Sequence, residues 1–127
     1  MRSDEACLRE ALDAADQLLA LLANPEAERL FTEDRVFRHS VFFEFVAMGE
    51  QVSSLSPDLQ DRYPDVPWRR IVAFRHRVAH GYFTLSLPLV WQIWQDEIPT
   101  LHSQLAVILA AEFPQAALPD DAAEPGG

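Results

Sequence analysis

Apolar residues recur at helical spacing along most of the chain. Between Ser3 and Ala23, Leu8, Leu12, Ala15, Leu19 and Leu22 follow at intervals of four, three, four and three, the stripe of an amphipathic helix. Ser3 or Asp4 is placed to cap its start, Asp4 and Glu5 suit the positive end of its dipole, and Asn24-Pro25 ends it. A short helical piece is expected from about Glu26 to Phe31. Thr32 is then expected to cap a second long helix reaching about Leu55, with Phe37, Val41, Phe45, Met48, Val52 and Leu55 inward. Gly49 inside that stripe costs about 1 kcal/mol against alanine and points to a close helix–helix approach.

Ser56-Pro57 is a helix start of the cap-then-proline kind, and the helix it opens is short because Tyr63-Pro64-Asp65-Val66-Pro67 follows. Pro67 opens the next, Trp68 to about His80, with Ile71, Phe74 and Val78 inward and Gly81 expected as a left-handed cap. Ser86 caps the last long helix, Leu87 to about Glu112, whose stripe is Leu87, Val90, Trp91, Trp94, Ile98, Leu101, Leu105 and Ile108. Pro99 within it predicts a kink near Gln95. No strand-period segment or internal repeat is evident. The pattern predicts an all-α, up-and-down bundle of four to five helices in a single domain over 1–113, followed by a Pro/Ala/Asp/Gly tail over 114–127 that reads as disordered.

A length of 127 residues suits one domain, and 49% hydrophobic residues supply a core too large for a disordered chain. The longest apolar runs, Leu18–Ala23 and Leu105–Ala111, fall far short of the roughly 18 residues a membrane span needs. The acidic start MRSDEACLRE lacks the apolar core of a secretory signal, and the single Cys7 rules out an internal disulfide. A cytoplasmic protein is expected. There are too few thiols and no paired-histidine pattern for structural zinc. Glu44 and Glu50 face no second acidic motif, so neither a metal site nor a cofactor is expected.

The net charge of −10 argues against a general nucleic-acid coat protein, but it hides an asymmetry. All ten basic residues are arginines. Val66–Gln95 holds Arg69, Arg70, Arg75, Arg77, His76 and His80 and no acid, a local charge of +4, while the other 97 residues carry −14. This segment reads either as a solvated basic face or as a site built to meet an anion. Guanidinium forks suit phosphate or carboxylate.

Its central string, Phe74-Arg75-His76-Arg77-Val78-Ala79-His80-Gly81-Tyr82-Phe83, contains R-x4-H-x-Y. Residues five apart on a helix differ by about 140° in direction, so Arg75 and His80 do not share one narrow face. His80 falls at the helix end, where the dipole favours an imidazolium and the nearby arginines oppose it. Such a balance suits acid–base work, with Arg75 free to clamp a phosphate. A plain carbonyl-capping role for His80 is the alternative at this level. His76 reads as exposed, Trp68, Trp91 and Trp94 as core or interface aromatics, and His39 and His102 as structural or solvated.

Arg75–Tyr82 resembles the signature of the HepT-like family, minimal ribonuclease domains of the HEPN superfamily. Three further blocks agree in order. Met48-Gly49-Glu50-Gln51 is similar to the family's "IGEA" helix turn. Ser54-Leu55-Ser56-Pro57-Asp58-Leu59 with Tyr63–Trp68 is similar to its "LSPEL…YPDIPW" connection. Leu89-Val90-Trp91 with Ile98-Pro99 is similar to "IVW…LP". The resemblance spans about residues 35–105. It implies a HEPN-like two-fold homodimer acting as the RNase toxin of a toxin–antitoxin pair, with an MntA-like nucleotidyltransferase as antitoxin. By the same resemblance, Arg75 and His80 form a metal-independent catalytic centre at the dimer cleft, supported by the residue at 76, and Tyr82 is the position adenylylated to silence the toxin. One departure stands out: the residue after the motif arginine is usually Asn, and here it is His76. The competing expectation is a catalytically silent helical dimer that binds a nucleotidyltransferase or a nucleotide. A helical oligomer with no site ranks last, because it leaves the acid-free stretch unexplained.

Overall fold

The computed structural model describes residues 2–81 and 84–115. Among these, six helices and no strand are found: α1 (Asp4–Leu22), α2 (Ala27–Glu33), α3 (Arg35–Ser53), α4 (Pro57–Arg62), α5 (Trp68–Gly81) and α6 (Leu87–Glu112). Four are long and two are short, of seven and six residues, so the all-α bundle stands, with one helix more than the upper expectation. No described helix is long and apolar enough to cross a membrane.

Hydroxyl caps set three of the helix starts. Ser3 accepts from the Ala6 amide, Ser56 from Leu59 and Ser86 from Leu89. Asp4, the other candidate cap for α1, instead ties two helix starts together: its carboxylate accepts from the Ser56 amide at 2.8 Å and the Ser56 hydroxyl at 2.6 Å. The cap of α3 differs from expectation. Asp34, not Thr32, accepts from the Phe37 amide. Thr32 lies within α2, and its hydroxyl donates back to the Glu28 carbonyl, so it is not available for the next helix.

Helix α1 packs against both α3 and α6, and α5 lies mainly on α3. The close seat of α1 comes from small residues: Cys7, Ala11, Ala14 and Ala15 are buried with Leu8 and Leu18. The deepest line of α1 is thus rotated from the expected leucine stripe, and Leu12, Leu19 and Leu22 are only partly covered. The α3 and α6 stripes fall as expected, with Phe37, Leu87 and Trp91 at their half-buried edges. Trp94 is fully buried, donates its indole N–H to the Leu18 carbonyl at 2.8 Å, and stacks edge-on with Trp91. Helix α6 runs through Pro99 from Leu87 to Glu112 as one element. The tail expected from 114 lies, from residue 116 onward, outside the described residues.

Candidate active site on the fifth helix

Helix α5 is anchored at its start. The Trp68 indole N–H donates to the carbonyls of Tyr63 (3.0 Å) and Gln60 (3.2 Å), fixing the helix against α4 and the connection that follows it. Ile71 and Val78 are buried, and Phe74 meets Phe45 of α3 edge-on at 5.1 Å. Arg75 lies four residues after Ile71 and three before Val78, on the face that turns to α3. A charged side chain there needs room for its stem and a counter-charge for its head.

Gly49 and Glu50 meet those two needs. A β-carbon at position 49 would stand 2.7 Å from Arg75 Cγ and still closer to Arg75 Cβ, so the arginine stem occupies the space that glycine leaves. The close approach expected at Gly49 therefore exists, and its occupant is Arg75. One residue on, the Glu50 carboxylate accepts from Nη2 of Arg75 in an ion pair that spans α3 and α5. The Arg75 side chain is 22% exposed and that of Glu50 54%, so the pair sits at the edge of the core with its outer side in solvent. The Nε of Arg75 and the Oε1 of Gln51 are buried and have no hydrogen-bond partner among the described residues.

His80 stands in the last turn of α5 and is exposed. Its ring faces that of His76, one turn back, with centroids 5.5 Å apart and planes tilted by 31°. The helix continues through Gly81, which has no left-handed backbone angle, contrary to the expected cap. The Thr84 hydroxyl donates to the Gly81 carbonyl at 2.9 Å and satisfies part of the helix end. Tyr82 lies outside the described residues. Within one chain, no hydrogen bond or ion pair joins Arg75 to His80 among the described residues. The structure pairs Arg75 with Glu50 and His80 with His76.

The +4 segment is partly neutralised by acids from other helices. Glu50 of α3 meets Arg75, and Glu97 of α6 accepts from Arg70 at 2.8 Å. Arg69 and Arg77 are exposed and form no ion pair among the described residues. A cavity of about 400 Å³ opens between α3, α5 and α6. Its lining is chiefly apolar (Phe45, Met48, Ile71, Phe74, Ile98, Leu101), with Asp65, Arg70, Arg77 and Glu97 as its charged members, and it includes neither Arg75 nor His80. Sequence reasoning missed the tie between Glu50 and Arg75. The available signal was Arg75 itself, a charge in the buried line between Ile71 and Val78.

An all-helical bundle that carries an arginine and a histidine on one basic helix, with no acid in that helix, defines a candidate nucleic-acid-processing domain. The profile described as Ribonuclease HepT-like matches residues 9–108, and the chain belongs to the HepT-like ribonuclease family. A Methanocaldococcus jannaschii protein provisionally named as an RNase is 22% identical over 107 residues, covering 84% of this chain and 97% of the relative. A second one from the same organism is 25% identical over 108 residues, covering 85% and 88%. A Thermococcus cleftensis protein carrying the name probable ribonuclease HepT is 25% identical over 71 residues, 56% of this chain and 64% of its own. No solved structure gives a significant match.

Proposed function

We propose that this HepT-like protein is a metal-independent endoribonuclease toxin, acting as a homodimer in the cytoplasm, and that Arg75 and His80 carry its chemistry. The observation that supports this most is the held arginine. Arg75 is seated by Gly49 and tethered by Glu50, its side chain keeps 22% of its surface exposed, and His76, Arg77 and His80 of the same helix are exposed. A fork fixed this way is pre-organised for phosphate charge.

RNA carries its own nucleophile. His80 of one protomer takes the proton of a ribose 2′-hydroxyl, O2′ attacks the adjacent phosphorus, and the 5′-oxygen departs with a proton supplied by the second protomer's copy of the same histidine. The products are a 2′,3′-cyclic phosphate and a 5′-hydroxyl. Arg75 stabilises the charge that builds on the non-bridging oxygens. Among the described residues of one chain no bond joins Arg75 to His80, and the reading therefore uses a two-fold cleft that gathers two copies of each. Arg69 and Arg77, which form no ion pair among the described residues, add positive field along the same helix.

Silencing is assigned to an MntA-like nucleotidyltransferase antitoxin that adenylylates Tyr82. Two residues after His80, that hydroxyl would place a phosphodiester charge and a purine beside the groups that receive RNA phosphate. Expression of the chain alone in bacteria tests the toxin role. Growth arrest that Arg75→Ala or His80→Ala relieves is expected. Full toxicity in either single variant would remove that residue from the mechanism.

One observation favours the competing reading, a silent helical dimer that holds a nucleotidyltransferase or a nucleotide. Arg75 already has a carboxylate partner in Glu50. Healthy growth of cells expressing the chain alone, with intact partner binding, would select it.

A further inference from the structure

We propose that His76 and His80 form a two-nitrogen clip for a borderline transition-metal ion, Zn2+ or Cu2+, and that filling it switches the ribonuclease off. The inference rests on the reading of His80 as catalytic for its regulatory half only. The coordination half stands on geometry.

The two histidines are four residues apart on α5, so they project from the same face one turn apart. Both are exposed, and their ring centroids lie 5.5 Å apart with the planes tilted by 31°. Metal–nitrogen bonds of about 2.1 Å at a tetrahedral angle place two imidazole centroids about 5.2 Å apart, close to the arrangement present. The spacing therefore suits a chelating pair once rotation of the exposed rings turns one nitrogen of each toward a common point. Both sit on a helix rather than a loop, which limits the entropy lost on binding.

The surroundings decide the kind of ion. Arg69 and Arg77 share the helix without an ion pair among the described residues, while Glu50 and Glu97 already pair with Arg75 and Arg70, so no free carboxylate of α5 is at hand to hold a hard cation by charge alone. Imidazole coordination is therefore the dominant attraction, and the affinity order follows Cu2+ above Zn2+ and Ni2+, with Mg2+ and Ca2+ excluded. Two protein ligands leave positions for water, as befits an inhibitory and reversible site rather than a structural one. A ring that donates its lone pair to the metal can no longer accept the 2′-hydroxyl proton, and a protonated ring can no longer supply one once the metal has displaced its proton. The histidine at 76 thus gives this chain an inhibitory handle that an Asn at that position would lack.

The test is calorimetric titration of Zn2+, Cu2+ and Mg2+ into the metal-stripped full chain, with RNA cleavage followed in parallel. Saturable Zn2+ and Cu2+ binding is expected, weakened about tenfold or more by His76→Asn and by His80→Asn and unchanged by His39→Asn, with no Mg2+ binding. Zn2+ should suppress cleavage by the unaltered chain, reversed by EDTA, while His76→Asn cleaves equally with and without Zn2+. Zn2+ binding that survives His76→Asn, or no saturable binding at all, overturns the clip. Binding without suppression of an active enzyme overturns the switch. If the chain cleaves no RNA under either condition, the ribonuclease reading fails while calorimetry still decides the clip.

Discussion

The stem of Arg75 fills the space over Gly49 that any other residue's β-carbon would take. This contact couples a backbone requirement on α3 to the placement of a guanidinium on α5. Gly49→Ala should therefore behave against helix propensity. Alanine favours the helix by about 1 kcal/mol, yet the contact forces α5 or Arg75 to move at a cost of about 1–3 kcal/mol, for a net loss of up to about 2 kcal/mol. Thermal unfolding should show a lower Tm, and RNA cleavage should fall by more than the unfolded fraction explains.

Glu50 holds the other end of the same side chain. Its removal should separate positioning from stability. An ion pair half open to solvent contributes about 1 kcal/mol or less, so Glu50→Ala should unfold near the unaltered Tm. A guanidinium released from its tether loses its aim, and kcat should drop by about 10- to 100-fold with a smaller change in KM. Glu50→Gln keeps an acceptor for Nη2 and should restore part of the loss. Unchanged kcat in Glu50→Ala would show that the tether has no part in catalysis.

At the far end of the bundle, Glu112 accepts from Arg62 and from the Tyr63 hydroxyl at 2.7 Å. The bond from Arg62, and then that from Tyr63, holds its carboxyl below the ordinary value of 4.5. A depressed folded value means the contribution is present above the unfolded value and is lost as pH falls through the folded one. The same bond pushes the Tyr63 hydroxyl above its ordinary 10.0, so its contribution is present below that value and lost as pH rises through the raised one. Denaturant titrations across pH should show Glu112→Gln flattening the acid limb of stability, with Tyr63→Phe removing part of the alkaline fall.

Much of the fold is legible in the sequence because local rules and tertiary packing agree. Ser3, Ser56 and Ser86 cap their helices as their positions before apolar runs suggest, and Val41, Phe45, Met48 and Val52 face inward at the expected spacing. The errors occur where two residues compete for one role. Thr32 and Asp34 both suit a cap, and a hydroxyl donating to Glu28 leaves the task to the carboxylate. Gly81 suits a left-handed cap, yet it stays within the helix without a left-handed backbone angle, and the Thr84 hydroxyl donates to its carbonyl. In the site, the segment's motif named Arg75 and His80, but the acid-free stretch concealed its partners. Glu50 and Glu97 arrive from other helices, and no local pattern announces a contact 25 residues away.

The central claim is that an arginine and a histidine of this helix cleave RNA through the substrate's own 2′-hydroxyl. Its most direct measurement is cleavage of a synthetic RNA by the purified chain in EDTA, beside the same strand with one 2′-deoxy position at the cut. Cleavage is expected to yield a 2′,3′-cyclic phosphate, to stop at the deoxy position and to vanish in Arg75→Ala and His80→Ala. Cutting of the deoxy-substituted bond, or full activity in folded His80→Ala, would contradict it.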